Sequence, residues 1–306
     1  MAQLVECVPN FSEGRRPEVI SEIIKEITSV DGITLLDHEM DASHNRAVVT
    51  FVGPPMAAKE AAFRGIRKAS ELIDMRTHTG EHPRMGATDV CPFIPIAEMT
   101  VPECITLARE LAAEVGEKLH IPVYLYEDAA TSPERKDLAV VRKGEYEGIR
   151  DELGKVPSRK PDFGPNEMNL KAGATAIGVR LPLVAFNAYL NTNNIKVANA
   201  IAKAIRSRSG GFAFCKALGF EIKERNCVQV SMNLVNYPKT PIHRVFETIK
   251  LEAARYGVNV TSSEIIGLVP NDALVMASEY YLRLENFSTA QILEEKLKKS
   301  AQTQKK

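Results

Sequence analysis

Apolar and polar residues along the chain alternate between two periods. Near the start, "LVECVPNF" reads as a short strand, and Pro17 follows at a position suited to the first turn of a helix. In that helix Val19, Ile20, Ile23, Ile24 and Ile27 recur at helical spacing and form one apolar face. "ITLLD" and "RAVVTFV" are two apolar strands, and the polar linker "HEMDASHN" between them predicts a hairpin. "PMAAKEAAFRGIRKASELI" predicts a second helix and "VCPFIPI" a further strand. Thr100 and Glu103 have the spacing of a capping box, ahead of a helix through Ile105, Leu107, Ala108 and Leu111. "PVYLYED" is another strand. Residues 129–165 are more polar and predict a helix fragment within a long connection, a kind of segment that is often functional.

The second half repeats the order. "LPLVAFNAYL" reads as a strand, and Asn194 is placed to cap a helix whose face is Val197, Ala198, Ile201, Ala204 and Ile205. "ALGFEIKER" and "CVQVSMNLV" are paired strands. In the second of them Val228, Val230, Met232 and Leu234 alternate with Gln229, Ser231 and Asn233. Thr240 and Pro241 open a helix carrying Ile242, Val245, Phe246 and Ile249, and "SEIIGLVP" closes the order. Each half thus reads β-α-β-β-α-β. The expected fold is α+β: two similar, ferredoxin-like domains with helices on one face of a mainly antiparallel sheet. The basic stretch "EEKLKKSAQTQKK" predicts a solvated helix end with a frayed tail.

Composition narrows the function. The chain has 306 residues, 44% apolar and 25% charged, enough for two ordinary domains. Its 39 basic and 39 acidic side chains cancel, which argues against a nucleic-acid binder. Cys7, Cys91, Cys104, Cys215 and Cys227 are odd in number and scattered, so neither a disulfide framework nor a zinc ribbon is expected. The opening "MAQLVECVPNF" lacks a signal-peptide pattern, and no stretch has the length and apolarity of a membrane span. A cytoplasmic location is expected.

"THTGEHPRMGATD" raises the question of chemistry. His78, Glu81 and His82 have the H-x-x-E-H spacing of one class of zinc peptidase. Such a site needs both histidines on one face of a helix. Gly80 costs a helix about 1 kcal/mol there, and Pro83 pushes His82 out of the helical region. The stretch therefore predicts a loop without a metal. In a loop, His82 is suited to move a proton near neutral pH or only to tie the loop together by hydrogen bonds. His38, His44, His120 and His243 lack such neighbours and read as surface or capping residues.

"LVECVPNFSEG", "GEHPRMGATDVCPFIP", "PVYLYE", "PDFGP" and "IIGLVP" carry a resemblance that runs to about residue 285. On these residues the chain resembles the formiminotransferase domain family. The resemblance implies transfer of a formimidoyl group from N-formimidoyl-glutamate to tetrahydrofolate as co-substrate, without a metal. It implies residues 1–180 as an N-terminal subdomain with the catalytic loop, residues 181–306 as a C-terminal subdomain, a cleft between them, and a homodimer. It places the catalytic histidine at His82. It places folate along Phe163, Gly164, Pro165, Asn166, Glu167, Met168, Asn169, Leu170, Lys171 and Ala172. The interior of that stretch, "NEMNLK", lacks the aromatic residue of some members.

A proton must leave the attacking pteridine nitrogen, and another must reach glutamate's nitrogen as it departs. A histidine with a pKa near 7 suits both steps. The resemblance also implies an acidic helper among Asp37, Glu39 and Asp41. Arg46, Arg84 and Arg180 are candidates for the substrate carboxylates. Two alternatives stay open: a formyl group in place of the formimidoyl group, and a folate-binding protein without catalysis. Some members carry a fused cyclodeaminase domain, for which 306 residues are too few.

Overall fold

Pro9 interrupts the first strand, and the two halves on either side of it set the plan of the N-terminal part. In the computed structural model, which describes residues 3–297, they are β1 (Leu4–Cys7) and β2 (Asn10–Phe11). Both are flanked by β4 (Arg46–Gly53) on one side and β5 (Thr88–Ala97) on the other, antiparallel to each. Beyond β4 lies β3 (Thr34–Asp41), joined to it by a hairpin with Asp41 opposite Arg46. The hairpin turn is shorter than the sequence suggests. The strand runs on through "HEMD" because β3 is a sheet edge, where exposed polar residues are tolerated.

Helix α1 (Pro17–Thr28) buries Val19, Ile20, Ile23 and Ile27, and α2 (Pro55–Leu72) packs on it with Gly65 against Ile27. Helix α3 (Val101–Lys118) begins with the Thr100–Glu103 capping box. Next come β6 (Val123–Glu127), two short helices α4 (Leu138–Val141) and α5 (Glu145–Glu152), and β7 (Thr175–Val179).

β7 pairs with β5 and β6, both times in parallel, so this sheet is mixed. Among the described residues five of its seven pairings are antiparallel, so the sheet is mainly antiparallel as expected, and the two parallel pairings of β7 are an addition the sequence reading did not include. The sequence "TAIGV" is buried at all five positions and shows no alternation, as in parallel strands covered on both faces. Parallel pairing also requires crossovers, which α3 and the segment through α4 and α5 supply.

The chain divides into two compact units, Met1–Leu181 and Pro182–Lys306. The second holds β8 (Val184–Leu190), α6 (Ile195–Ile205), β9 (Cys215–Ile222), β10 (Cys227–Leu234), α7 (Ile242–Ala254), β11 (Val260–Ile266) and α8 (Asn271–Leu282). Its sheet runs β11-β8-β10-β9, antiparallel throughout. Asn194 caps α6 by accepting from the Lys196 N–H. On β10 the alternation places Val228, Val230, Met232 and Leu234 in the core. All five cysteines are free, four of them buried. Among the described residues no helix is long and apolar enough to cross a membrane. Residues 298–306 of the basic C-terminal stretch lie outside the described residues.

Candidate active site

Between α2 and β5 the chain has no helical turn around His78, Glu81 and His82. A Cβ on Gly80 would fall 2.3 Å from the His44 carbonyl oxygen, so only glycine lets the loop pass the β3–β4 hairpin. His78 Nε2 lies 3.1 Å from the Asn45 carbonyl, and its Nδ1 accepts from Arg84 Nε at 3.3 Å. Glu81 is exposed and donates its backbone N–H to Ser43. The three side chains of the H-x-x-E-H spacing thus serve separate ends. Among the described residues no group of three or more His, Cys, Asp and Glu is placed to hold a metal.

His82 Nδ1 lies 2.7 Å from the Pro83 carbonyl oxygen, which can only accept. The Arg46 guanidinium, which can only donate, competes for the same nitrogen from 2.9 Å; we assign the proton to Nδ1 on the shorter contact, to Pro83, which leaves the lone pair on Nε2. Arg46 Nη1 sits 2.9 Å from the same Nδ1 and donates to Asp89 Oδ2 at 2.7 Å. Arg142 grips the same carboxylate with both Nε and Nη2. Asp89 is 1% exposed, and the two arginine side chains are 14% and 13% exposed. Asn10 Oδ1 accepts from Nε and Nη2 of Arg46, and the Met85 N–H donates to Asp89 Oδ1.

This arrangement controls charge. Burial lowers the His82 pKa to about 3, helped by Arg46 and Arg142 and opposed by Asp89 and the Pro83 carbonyl. Burial also lowers Arg46 to about 10, against the pull of Asp89. For Asp89, burial acts upward, but Arg142 and Arg46 outweigh it and hold the carboxyl below its usual range. The cluster thus contains two guanidinium cations, one carboxylate and a neutral imidazole.

Of the three acids in "LLDHEMD", Asp41 is linked to His82, through His44. His44 Nδ1 is 2.7 Å from Asp41 Oδ2, and its ring meets His82 edge-on with centroids 5.9 Å apart. Asp37 and Glu39 lie farther along β3, opposite Thr50 and Val48. His44, partly exposed at the hairpin, thus links Asp41 to the edge of the His82 ring. His243 is buried, stacked on Tyr280.

The candidate arginines separate. Arg46 reaches His82. Arg84 is turned toward Glu145 and Glu147, with contacts of 2.6–2.8 Å. Arg180 donates to the Leu181 carbonyl. Sequence reasoning missed Asp89, Arg142 and Asn10. A lone carboxylate inside the apolar run "TDVCPFIPI" was a signal for Asp89. Arg142, in the polar connection, gave none.

Residues 163–172 are tied to the same loop at one end. The Ala87 N–H donates to the Ala172 carbonyl at 2.7 Å, and Ala174 donates to Met85. Gly86 and Gly173 touch there: a Cβ on Gly86 would lie 2.1 Å from the Ala174 oxygen, and Gly173 has φ +75°. Tyr146 donates its hydroxyl to the Leu170 carbonyl, and Asn169 accepts from the N–H groups of Lys171 and Ala172. Met168 and Ala172 are buried, while Gly164, Asn166, Glu167, Leu170 and Lys171 are exposed. A cavity of about 760 Å³ lined by Tyr124, Arg135, Arg159 and Asp162 shares no residue with the His82 cluster, and its main charges are paired internally.

A model of the formiminotransferase domain's N-terminal subdomain matches residues 4–180, and a model of the formiminotransferase domain matches residues 185–303. The chain belongs to the formiminotransferase family. A glutamate formimidoyltransferase of Streptococcus pyogenes serotype M1 is 52% identical over 97% of this chain and 99% of its own. One from Thermoplasma acidophilum is 51% identical, with 97% and 98% covered. A formimidoyltransferase-cyclodeaminase of Gallus gallus is 42% identical over 97% of this chain, which spans 55% of that longer relative. Within the family match, the N-terminal model covers the His82 loop, Asp89, Arg142 and residues 163–172 together.

Proposed function

We propose that this enzyme moves the formimidoyl group from N-formimidoyl-L-glutamate to tetrahydrofolate, giving 5-formimidoyltetrahydrofolate and glutamate. The observation that carries this reading is the match to glutamate formimidoyltransferases at about half identity along nearly the whole of both chains. Tetrahydrofolate is a co-substrate, and the chemistry we infer draws on side chains rather than a metal.

A pteridine nitrogen attacks the formimidoyl carbon. A new C–N bond forms, the attacking N–H gives up its proton, and a tetrahedral intermediate results. The bond from that carbon to glutamate's nitrogen then breaks, and the departing amine takes up a proton. His82 Nε2, which holds the lone pair, accepts the first proton and returns it to the leaving nitrogen. Pro83 orients the ring through Nδ1. Residues 163–172 line the folate site, supported by their junction with the His82 loop. Asp41 assists through His44.

The two halves, residues 1–180 and 181–306, are read as subdomains that repeat one β-α-β-β-α-β plan. The strand orders β3-β4-β1-β5 and β9-β10-β8-β11 support this ferredoxin-like repeat. The enzyme works as a cytoplasmic homodimer in histidine breakdown and one-carbon metabolism.

A single-turnover assay offering formimidoyl-glutamate and formyl-glutamate in parallel, each with tetrahydrofolate, tests the reaction. Faster transfer from the formimidoyl donor is expected. Transfer from the formyl donor alone would reassign the substrate, and folate binding without any transfer would remove catalysis.

A further inference from the structure

We propose that Arg46 and Arg142, held by the single carboxylate of Asp89, form the subsite for the α-carboxylate of the glutamate donor beside His82. The proposal rests on the formimidoyltransferase reading above and names the part of the site that recognises the donor.

Charge is the first argument. Two guanidinium groups share one carboxylate that is 1% exposed, and the neighbouring imidazole is neutral. One positive charge is left over in a largely buried cluster. Such a charge is costly without a partner anion. The partner must be small, because each arginine is only slightly exposed.

The donor count agrees. Arg46 spends Nε and Nη2 on Asn10 and Nη1 on Asp89. Arg142 spends Nε and Nη2 on Asp89. Among the described residues nothing accepts from Arg142 Nη1, so this nitrogen has two N–H groups to offer a carboxylate. The other candidates are committed elsewhere. Arg84 meets two glutamates, and Arg180 lies on the Leu181 carbonyl, with Glu6 as a charged neighbour.

The geometry selects the carboxylate. In glutamate the α-carboxylate is joined to the reacting nitrogen through the α-carbon alone, whereas the γ-carboxylate sits at the far end of the side chain. Arg46 Nη1 is 2.9 Å from His82 Nδ1 and shares Asp89 with Arg142, so an anion on this pair lies beside the imidazole whose other nitrogen, Nε2, handles the proton.

Binding then acts on the base. The charged and titratable groups around His82 are Arg46 on β4, Asp89 on β5, Arg142 after α4, His44 at the hairpin and the adjoining Glu81. Burial and the two arginines hold the ring neutral and weakly basic. A carboxylate on those arginines cancels their effect, so His82 becomes a better proton acceptor when the donor is in place. The donor thereby helps to switch on its own base.

Wild type and Arg142→Gln are to be assayed with N-formimidoyl-glutamate and with N-formimidoyl-4-aminobutyrate, which lacks the α-carboxylate. Removing either the arginine or the carboxylate is expected to lower kcat/KM by about 10- to 100-fold, the worth of a charge-assisted hydrogen bond. Removing both should add little, and KM for tetrahydrofolate should stay constant. Losses that multiply in the double combination would overturn the subsite while leaving the reaction intact. A wild-type chain that transfers no formimidoyl group would overturn the reading beneath it.

Should Arg142→Gln fail to fold, ring NMR of wild-type His82 decides the matter. L-glutamate should raise its titration midpoint, and 4-aminobutyrate should not. Glutamate that leaves the midpoint unmoved, or that is matched by 4-aminobutyrate, would overturn the proposal.

Discussion

The two units bury their cores in a similar way, yet their polar groups differ in kind. In the second unit Glu264 sits on the sheet with an Oε1 that accepts from Asn187, Tyr189 and Gln229. These three donors are neutral side chains on strands of one antiparallel sheet. In the first unit Asp89 instead holds two cations against a histidine, where a strand bordered by a parallel neighbour meets an irregular loop. The added parallel strands explain the difference. Their crossover brings Arg142 to Asp89, and their approach brings residues 163–172 to Gly86. The crossovers of the second unit run through α6 and α7, whose buried faces are mainly apolar.

His82→Asn breaks this comparison most sharply. It keeps side-chain size and removes proton transfer, so kcat should fall by about 10²–10⁴-fold with little change in thermal stability or folate affinity. Steady-state kinetics beside a melting curve check both. Near-normal turnover from pH 6 to 9 would give the proton to another group, with Asp41 and its neighbours on β3 the next to test.

Asp89→Asn should chiefly affect stability. It leaves two largely buried guanidinium groups facing an amide, and losing one member of a buried ionic cluster costs about 3–5 kcal/mol. Urea denaturation measures the loss. A change below about 1 kcal/mol, as for an exposed pair, would show that the cluster is well solvated. Gly86→Ala comes next. A Cβ 2.1 Å from the Ala174 oxygen forces the loop off β7, at about 2–3 kcal/mol. Weaker folate binding in a variant that still folds would sharpen the link between loop and segment.

Much of this was legible in the sequence. The helical face of α1, the Thr100 box, the alternation on β10 and the loop around His82 all follow from local rules, and so does the face of α6 except that Ala202 is buried in place of the expected Ala204, which is exposed. These features depend on neighbours a few residues apart. Strand β7 was not legible, because a short run buried on both faces carries no period. Nor was the end of β3, where "HEMD" has the polarity of a turn but lies on a sheet edge. Arg142 is the clearest failure. It is 53 residues from Asp89, and only the tertiary path between β6 and β7 brings the two together. Asp89 itself stood out as a charge within an apolar strand, but its meaning depended on that unseen partner.

Acid should reveal the His82 environment as a loss of stability. The folded-state pKa of about 3 lies below the ordinary value of 6.5, so between those values the unfolded chain takes up a proton that the folded chain refuses. The contribution is therefore fully present above pH 6.5 and is lost as pH falls toward 3. The slope is at most about 1.4 kcal/mol per pH unit. Urea midpoints at several pH values, compared between wild type and His82→Asn, isolate it, since asparagine does not titrate. Parallel curves for the two proteins would mean that His82 protonates freely in the fold.

The smallest effects should come from the helix caps, and they provide a control shared by both units. Thr100 caps α3 in the first unit. It accepts from the Glu103 N–H, while the Glu103 carboxylate accepts back from the Thr100 N–H at 2.7 Å. Asn194 caps α6 in the second unit with one bond, from Lys196 at 3.1 Å. Each replacement by alanine should cost about 1 kcal/mol. Thr100→Ala should cost the more of the two, because losing the hydroxyl weakens a reciprocal pair. Neither cap lies in the His82 cluster, so both variants should keep the wild-type kcat wherever they remain folded. Urea denaturation and turnover measured on the same samples separate the two quantities. If Asn194→Ala lowered kcat as far as His82→Asn does while leaving stability intact, the chemistry could not be assigned to the first unit alone, and the contrast between Asp89 and Glu264 would lose its meaning.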